Sequence, residues 1–253
     1  MRKFMMGLIV AAAAGAMSGC ATAQTGSGAA SSAVVAAALA EPSRPPAEVA
    51  RDAKRKPAEM IAFAGIKPGS VVVDLLPGGG YFTRIFSKVV GPTGKVYAAA
   101  GPARDGGPPA VAALAANPAF ANVVVAPMSP QQTFTTPEKV DVVWTSRNYH
   151  DLRNATRNLD INAINKAVFD ALKPGGVFIV LDHAAAAGTG PEIPGTLHRI
   201  NADIVKADLK AAGFVLVSES NVLRNPSDDV TKRVQEEAIP DSSDQFILKF
   251  RKP

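Results

Sequence analysis

The chain is poor in cysteine, in aromatic residues and in charge. Cys20 is the only cysteine among 253 residues, so the chain forms no internal disulfide, and a domain that starts after it has no thiol for catalysis. Aromatic residues amount to 6%, with one tryptophan and three tyrosines, which leaves the core to aliphatic side chains. Charged residues amount to 19% and the net charge is +5. Arg2 and Lys3 carry two of those charges, so the rest of the chain holds +3 (5 − 2). With no long basic run, this is too mild to argue for a nucleic-acid partner. Histidines are scarce too: His150, His183 and His198. The apolar stretch from Phe4 to Met17 falls short of the roughly 20 residues of a membrane-spanning helix.

What is present begins with a leader. Met1-Arg2-Lys3 is a positive start, the apolar stretch follows, and Met17-Ser18-Gly19-Cys20 closes it. The segment resembles a bacterial lipoprotein signal, in which the cysteine becomes the acylated N-terminus; Met17 stands where leucine is usual. The resemblance implies export, a periplasmic location and a membrane anchor through Cys20. The plainer alternative is a cysteine beside an ordinary cleavage site. Residues 21–46 are Ala, Gly, Ser, Thr and Pro with few large side chains, and read as a flexible tether. A domain is expected from Ala47 to Pro253, since 47% hydrophobic content suits a packed chain.

Within that domain strands and helices alternate. Pro57 to Ala64 reads as a helix stopped by Gly65, Ser70 to Leu75 as a strand, and Tyr81 to Val90 as a helix ended by Gly91-Pro92. Strands are expected at 94–99, 122–126, 140–145 and 177–181. Ile161, Ile164, Val168 and Leu172 mark the apolar face of a further helix. A helix at 200–212 and strands at 214–217 and 245–250 complete the set, the last two with no helix between them. Such alternation predicts an α/β fold with a mostly parallel sheet covered by helices on both faces.

The most telling stretch is Val71-Val72-Val73-Asp74-Leu75-Leu76-Pro77-Gly78-Gly79-Gly80-Tyr81. A β-branched strand ends in a carboxylate, turns through glycines and opens into a helix, as nucleotide-type ligands require at the first strand–helix junction. Together with Gly94-Lys95-Val96-Tyr97-Ala98, Asp141-Val142-Val143-Trp144 and Leu172-Lys173-Pro174-Gly175-Gly176, it resembles the class I S-adenosylmethionine-dependent methyltransferases. More narrowly, the chain is similar to a subgroup of exported methyltransferase-like proteins. The residues that carry this are Arg51 to Pro57, Pro77 to Tyr81, Arg147-Asn148-Tyr149-His150-Asp151, Asp182-His183, Leu197 to Ile200 and Gln245 onward. The resemblance implies a Rossmann-like seven-stranded sheet with an antiparallel last strand. It also implies S-adenosylmethionine as cofactor, held by Asp74, Pro77, Gly78, Gly79, Gly80, Tyr81 and Asn148. Three departures stand out. Leu76 replaces the first glycine of the loop, no carboxylate appears near Ala100 before Asp105, and Ala126-Pro127-Met128-Ser129 has none.

His150 and His183 follow the fourth and fifth strands, at the edge where open α/β sheets bind ligands. Methyl transfer to an O–H or N–H acceptor needs a base near neutral pKa, so His150 or His183 is a candidate base, with Asp151 or Asp182 orienting the ring. The alternative is a hydrogen-bonded structural histidine. His150, Asp151, Asp182, His183 and His198 are metal-ligand types, but no compact ligand spacing links them and no metal is expected. Arg51, Lys54, Arg55 and Lys56 form either a solvated helix face or a cover in which Arg55 or Lys56 pairs with a ligand carboxylate. Two functions stay open: a methyltransferase acting on a small-molecule acceptor, or an exported lipoprotein of that fold that binds another ligand without methyl transfer.

Overall fold

The computed structural model describes residues 27–234 and 241–253, together with Met1. Four helices come first: α1 (Ser27–Leu39), α2 (Pro46–Val49), α3 (Asp52–Arg55) and α4 (Pro57–Ala64). The alternating body runs β1 (Val71–Leu75), α5 (Tyr81–Val90), β2 (Lys95–Ala100), α6 (Ala112–Ala115), β3 (Val123–Pro127) and β4 (Val140–Ser146). It continues with α7 (Tyr149–Leu152), α8 (Ile161–Ala171), β5 (Leu172–His183), α9 (Ile193–Leu197), α10 (Ala202–Ala211), β6 (Val215–Ser220) and β7 (Gln245–Arg251).

Local chemistry explains the boundaries. Pro57 opens α4 and Gly65 closes it at φ 76°, a left-handed conformation that glycine adopts without a Cβ penalty. Asp160 caps α8 by accepting from the N–H groups of Asn162 and Ala163, and Asn201 caps α10 through Asp203 N–H. The segment from Lys173 to Gly176 falls just before the strand expected at 177–181. It lies inside β5 as an irregularity, where the pairing of Val140 with Leu172 jumps to Val142 with Val177.

The strand order is β3-β2-β1-β4-β5-β7-β6. Strands β1 to β5 pair in parallel, and β7 pairs antiparallel with β5 and with β6. The crossover between β3 and β4 places β1 and β4 side by side with their connections leading away in opposite directions, and a ligand crevice forms at such a switch. The pleat sends alternate residues to opposite faces. Val73, Leu75, Phe178 and Val180 pack with Ile164, Val168, Val205 and Leu209 on the α8 and α10 side. Val72, Val142, Trp144 and Ile179 pack with Met60, Ile61, Phe82 and Phe86 on the α4 and α5 side.

The tether expectation needs correction over residues 27–39, which form α1. Val35 and Ala38 are buried in the α4 and α5 layer. Alanine-rich sequence carries little burial signal, yet alanine is the strongest helix former, and the packing therefore begins before Ala47. The leader and Cys20 lie outside the described residues.

Candidate functional site

Beyond β1 the chain turns tightly. Leu76 has φ 58° and Gly78 φ 56°, so the leucine adopts the conformation for which the loop ordinarily uses glycine. A left-handed conformation costs a residue with a side chain about 1–2 kcal/mol, and the surroundings hold it there. Leu76 N–H donates to the Ala99 carbonyl at 2.9 Å, and Asn148 Nδ2 donates to the Leu76 carbonyl at 3.1 Å. Across the crevice Arg147, just past β4, is also left-handed at φ 62°, with its N–H donating to the Leu181 carbonyl at 2.7 Å. Two strained non-glycine residues thus face each other at the ends of β1 and β4, where strain tends to mark a site.

Between them lies a cavity of about 510 Å³, floored by Leu76, Pro77, Gly78 and Gly79 and walled by Tyr81, Ser146, Arg147 and Asn148. A Cβ built on Gly78 or Gly79 would meet nothing within 4 Å, so the turn leaves open space for a ligand. Gly80 serves packing instead: a Cβ there would meet Leu114 at 2.9 Å. Asp74 does not line the cavity. It is buried below the turn, where the Thr83 hydroxyl donates to its Oδ2 at 2.6 Å. Burial raises its pKa to about 6, against the bond from Thr83 and the charge of Arg55.

The third wall comes from the N-terminal helices. Glu48, Arg51 and Arg55 border the cavity. Arg51 donates to Asp241 at 2.7 and 3.0 Å, Arg147 donates to the same carboxylate at 3.0 Å, and Arg55 Nε stands 3.7 Å from it. Three guanidinium groups therefore share one carboxylate. The Arg55 guanidinium also lies over the Tyr81 ring at 4.2 Å and the Phe82 ring at 4.8 Å. Burial, then the charges of Arg147 and Arg51, pull its pKa down to about 9. Burial works to raise the Asp241 carboxyl, but the bond from Arg51 and the neighbouring arginines hold it below its ordinary value. Such a surplus of positive charge favours an anionic ligand group. Glu48 adds the opposite sign: its Oε1 accepts from Arg84 at 2.6 Å, while its buried Oε2 accepts no hydrogen bond among the described residues.

The histidines gather at the ends of β4 and β5. Asp182 is 0% exposed and His150 and His183 are each 1% exposed. His150 Nδ1 lies 2.7 Å from Asp182 Oδ1, and the backbone N–H groups of His150 and His183 both donate to the same carboxylate at 2.8 Å. Burial would raise the Asp182 carboxyl, but the charge of His150 and its hydrogen bond hold it below the ordinary value. His150 Nε2 is 3.2 Å from Nδ1 of half-buried His198. His183 turns the other way, with Nδ1 at 2.6 Å from Ser243 Oγ. Burial lowers its pKa to about 3 against the pull of Asp182, so its ring is neutral at physiological pH.

Of the expected cofactor residues, Pro77, Gly78, Gly79, Tyr81 and Asn148 line one cavity, whereas Asp74 and Gly80 support it from behind. The basic cluster divides: Arg51 and Arg55 face the cavity, Lys54 bonds to Ser242 and Lys56 to the Val222 carbonyl. Asp105 is exposed and accepts from Gly107 N–H in its own turn at 2.9 Å; it adds no carboxylate to the cavity. Glu48 and Asp241 were not foreseen, since each reaches the site from a segment whose sequence shows no ligand motif. His198 was foreseen only as a ligand type.

No family model matches the chain, and no curated protein matches it closely. Solved structures share its fold. A SAM-dependent methyltransferase from Aquifex aeolicus aligns over 78% of this chain and 89% of its own, with 18% identity and a TM-score of 0.53. A protein described as possibly exported, from Bordetella parapertussis, aligns over 83% and 71% at 14% identity and a TM-score of 0.52. The [4+2]-cyclase SpnF aligns over 79% and 81% at 16% identity and a TM-score of 0.56. At these identities the likeness establishes the architecture: a Rossmann-like α/β sheet of the kind found in S-adenosylmethionine-dependent methyltransferases.

Proposed function

We propose that this chain binds S-adenosylmethionine over the Pro77–Gly80 turn and transfers its methyl group to a small-molecule acceptor. The observation that carries the reading is the cavity at the ends of β1 and β4, where an open glycine turn meets three guanidinium groups around Asp241. An α-carboxylate fits beside Arg55 and Arg147, and an α-ammonium fits the buried, donor-less Glu48 Oε2. The Gly78 and Gly79 backbone allows close approach. When bound, the cofactor would supply a sulfonium methyl for transfer to a nucleophilic acceptor, whose proton would pass to a base or to solvent.

The side chains hold and orient. Asn148 ties the β4 turn to the β1 turn through the Leu76 carbonyl, which fixes the width of the crevice. Two residues further on, His150, braced by Asp182, is proposed to stand on the acceptor side. Neutral, enclosed His183 braces the β5 end through Ser243. Titration calorimetry of the purified protein with S-adenosylmethionine tests the reading. Micromolar binding is expected, and no binding at millimolar ligand would overturn it.

One observation favours a second reading, a protein of this fold that binds another ligand without methyl transfer. The end of β2 at Ala100 carries no carboxylate for a ribose, and such a loss forfeits about 1.5–3 kcal/mol of charge-assisted hydrogen bonding. That reading expects a silent calorimetric titration. Export and anchoring through Cys20 are proposed alongside either reading. Fractionation of cells carrying the wild type or Cys20→Ala checks them: the wild type is expected with membranes and the variant released.

A further inference from the structure

Outside the lining of the cavity at the ends of β1 and β4, one group of ionisable side chains converges. His150 Nε2, His198 Nδ1 and Asp151 Oδ1 all lie within 4.8 Å of one another. The two nitrogens are 3.2 Å apart, and Nε2 is 3.8 Å from Asp151 Oδ1. Two imidazole nitrogens at roughly 2.0–2.1 Å from one tetrahedral zinc ion stand about 3.3 Å from each other. The histidine pair therefore already has the spacing a shared ion requires.

A hydrogen bond between the two rings would account for that pair alone. It leaves Asp151 unexplained. Its Oδ2 pairs with Arg157 at 2.9 Å, but its buried Oδ1 accepts no hydrogen bond among the described residues. A buried acceptor without a donor costs about 1–3 kcal/mol, and a cation at the convergence point supplies the missing partner. The surroundings of His150 point the same way. A ligating histidine usually gives its other ring N–H to a carboxylate, which fixes the tautomer and aims the free nitrogen at the metal. Fully buried Asp182 stands at 2.7 Å from His150 Nδ1 and is itself held by two backbone N–H groups. His198 sits at φ 51° past the end of α9, a left-handed conformation that brings its ring to His150.

We propose that His150, His198 and Asp151 form a binding site for a divalent first-row transition ion, zinc by preference, with Asp182 orienting His150. Two imidazoles and one carboxylate suit zinc or iron(II) over magnesium or calcium. Three protein ligands leave a coordination position open for water. The site is independent of the methyl-transfer reading, because neither cofactor nor acceptor contributes a ligand.

The test uses the full chain without a histidine tag, stripped with chelator and returned to zinc chloride. Ion content is read by mass spectrometry, and affinity by competition with a chromophoric chelator. One zinc per chain is expected. His198→Ala and Asp151→Asn should each weaken binding by roughly 100-fold or more, and Asp182→Asn by about 10–100-fold, as outer-shell partners do. Circular dichroism of the apo variants verifies their fold. In the wild type alone, zinc should raise the melting temperature while magnesium leaves it unchanged. A wild type that takes up no stoichiometric zinc, or shows no melting shift, overturns the proposal. Equal zinc affinity in wild type, His198→Ala and Asp151→Asn also overturns it, by placing the ion elsewhere.

Discussion

Asp74 and Asp182 occupy matching places and behave in opposite ways. Each ends or nearly ends a central strand at the ligand edge of the sheet, and each is buried, at 3% and 0% exposure. By the alternation of the pleat, Asp74 faces the α4 and α5 layer and Asp182 the α8 and α10 layer. Asp74 receives one side-chain bond, from Thr83, and its pKa rises to about 6. Asp182 receives His150 Nδ1 and two backbone N–H groups, and stays below its ordinary value despite complete burial. Burial alone therefore does not decide the state of a carboxylate; the charges and donors that meet it do. One serves as a prop under the glycine turn, and the other is a charged brace for a histidine.

Removing each carboxylate should break the pairing most visibly. Asp182→Ala strands three donors in the interior and is expected to cost about 3–5 kcal/mol, read by urea unfolding. Asp74→Ala leaves only Thr83 without its partner and should cost about 1–3 kcal/mol. Equal losses would mean that the donors do not set the difference.

The pH dependence sharpens the contrast. The folded state holds the Asp74 proton up to about pH 6, whereas an unfolded aspartate releases it near pH 3.9. Between those values the folded chain binds more protons, so the Asp74 contribution to stability declines as pH rises from about 4 to about 6. Wild-type stability minus that of Asp74→Asn is expected to fall by about 2–3 kcal/mol across that window and to be level on either side. A difference curve that stays flat would show that Asp74 ionises normally.

On the cavity side, Arg55→Gln is expected to weaken S-adenosylmethionine binding by about 10–100-fold, the loss of one charge-assisted contact of about 1.5–3 kcal/mol. Calorimetry decides this, and an unchanged affinity would remove Arg55 from the carboxylate role. The smallest effect belongs to Leu76→Gly. Relief of the left-handed strain, about 1–2 kcal/mol, works against lost packing of a partly buried side chain, so stability should change by less than about 1 kcal/mol. Denaturant unfolding that shows a larger loss would place Leu76 among the supports of the turn.

Much of the architecture was legible along the chain. Val71 to Leu75 followed by Pro77 to Gly80 announced the first strand and its turn, and Ile161, Ile164 and Val168 announced α8, since these signals lie within one or two turns of chain. The helix at Ser27–Leu39 was not legible, because Ala and Ser give no periodic contrast between a packed face and an exposed one. The site was legible by halves. The glycine turn and Asn148 were named from their own neighbourhoods, while Glu48 and Asp241 reach the cavity from segments without a motif. His198 meets His150 across 48 positions, a distance over which spacing carries no information.

The sequence by itself determined that this is a helix-covered, mostly parallel sheet with a glycine turn after its first strand, because apolar period and glycine placement act locally. Tertiary structure alone decided that Asp74 keeps its proton up to about pH 6 while Asp182 is charged. It also decided that three arginines crowd one carboxylate, and that two histidines and Asp151 converge on one point. Ionisation and coordination depend on burial and on partners far away in the chain, and only folding supplies those.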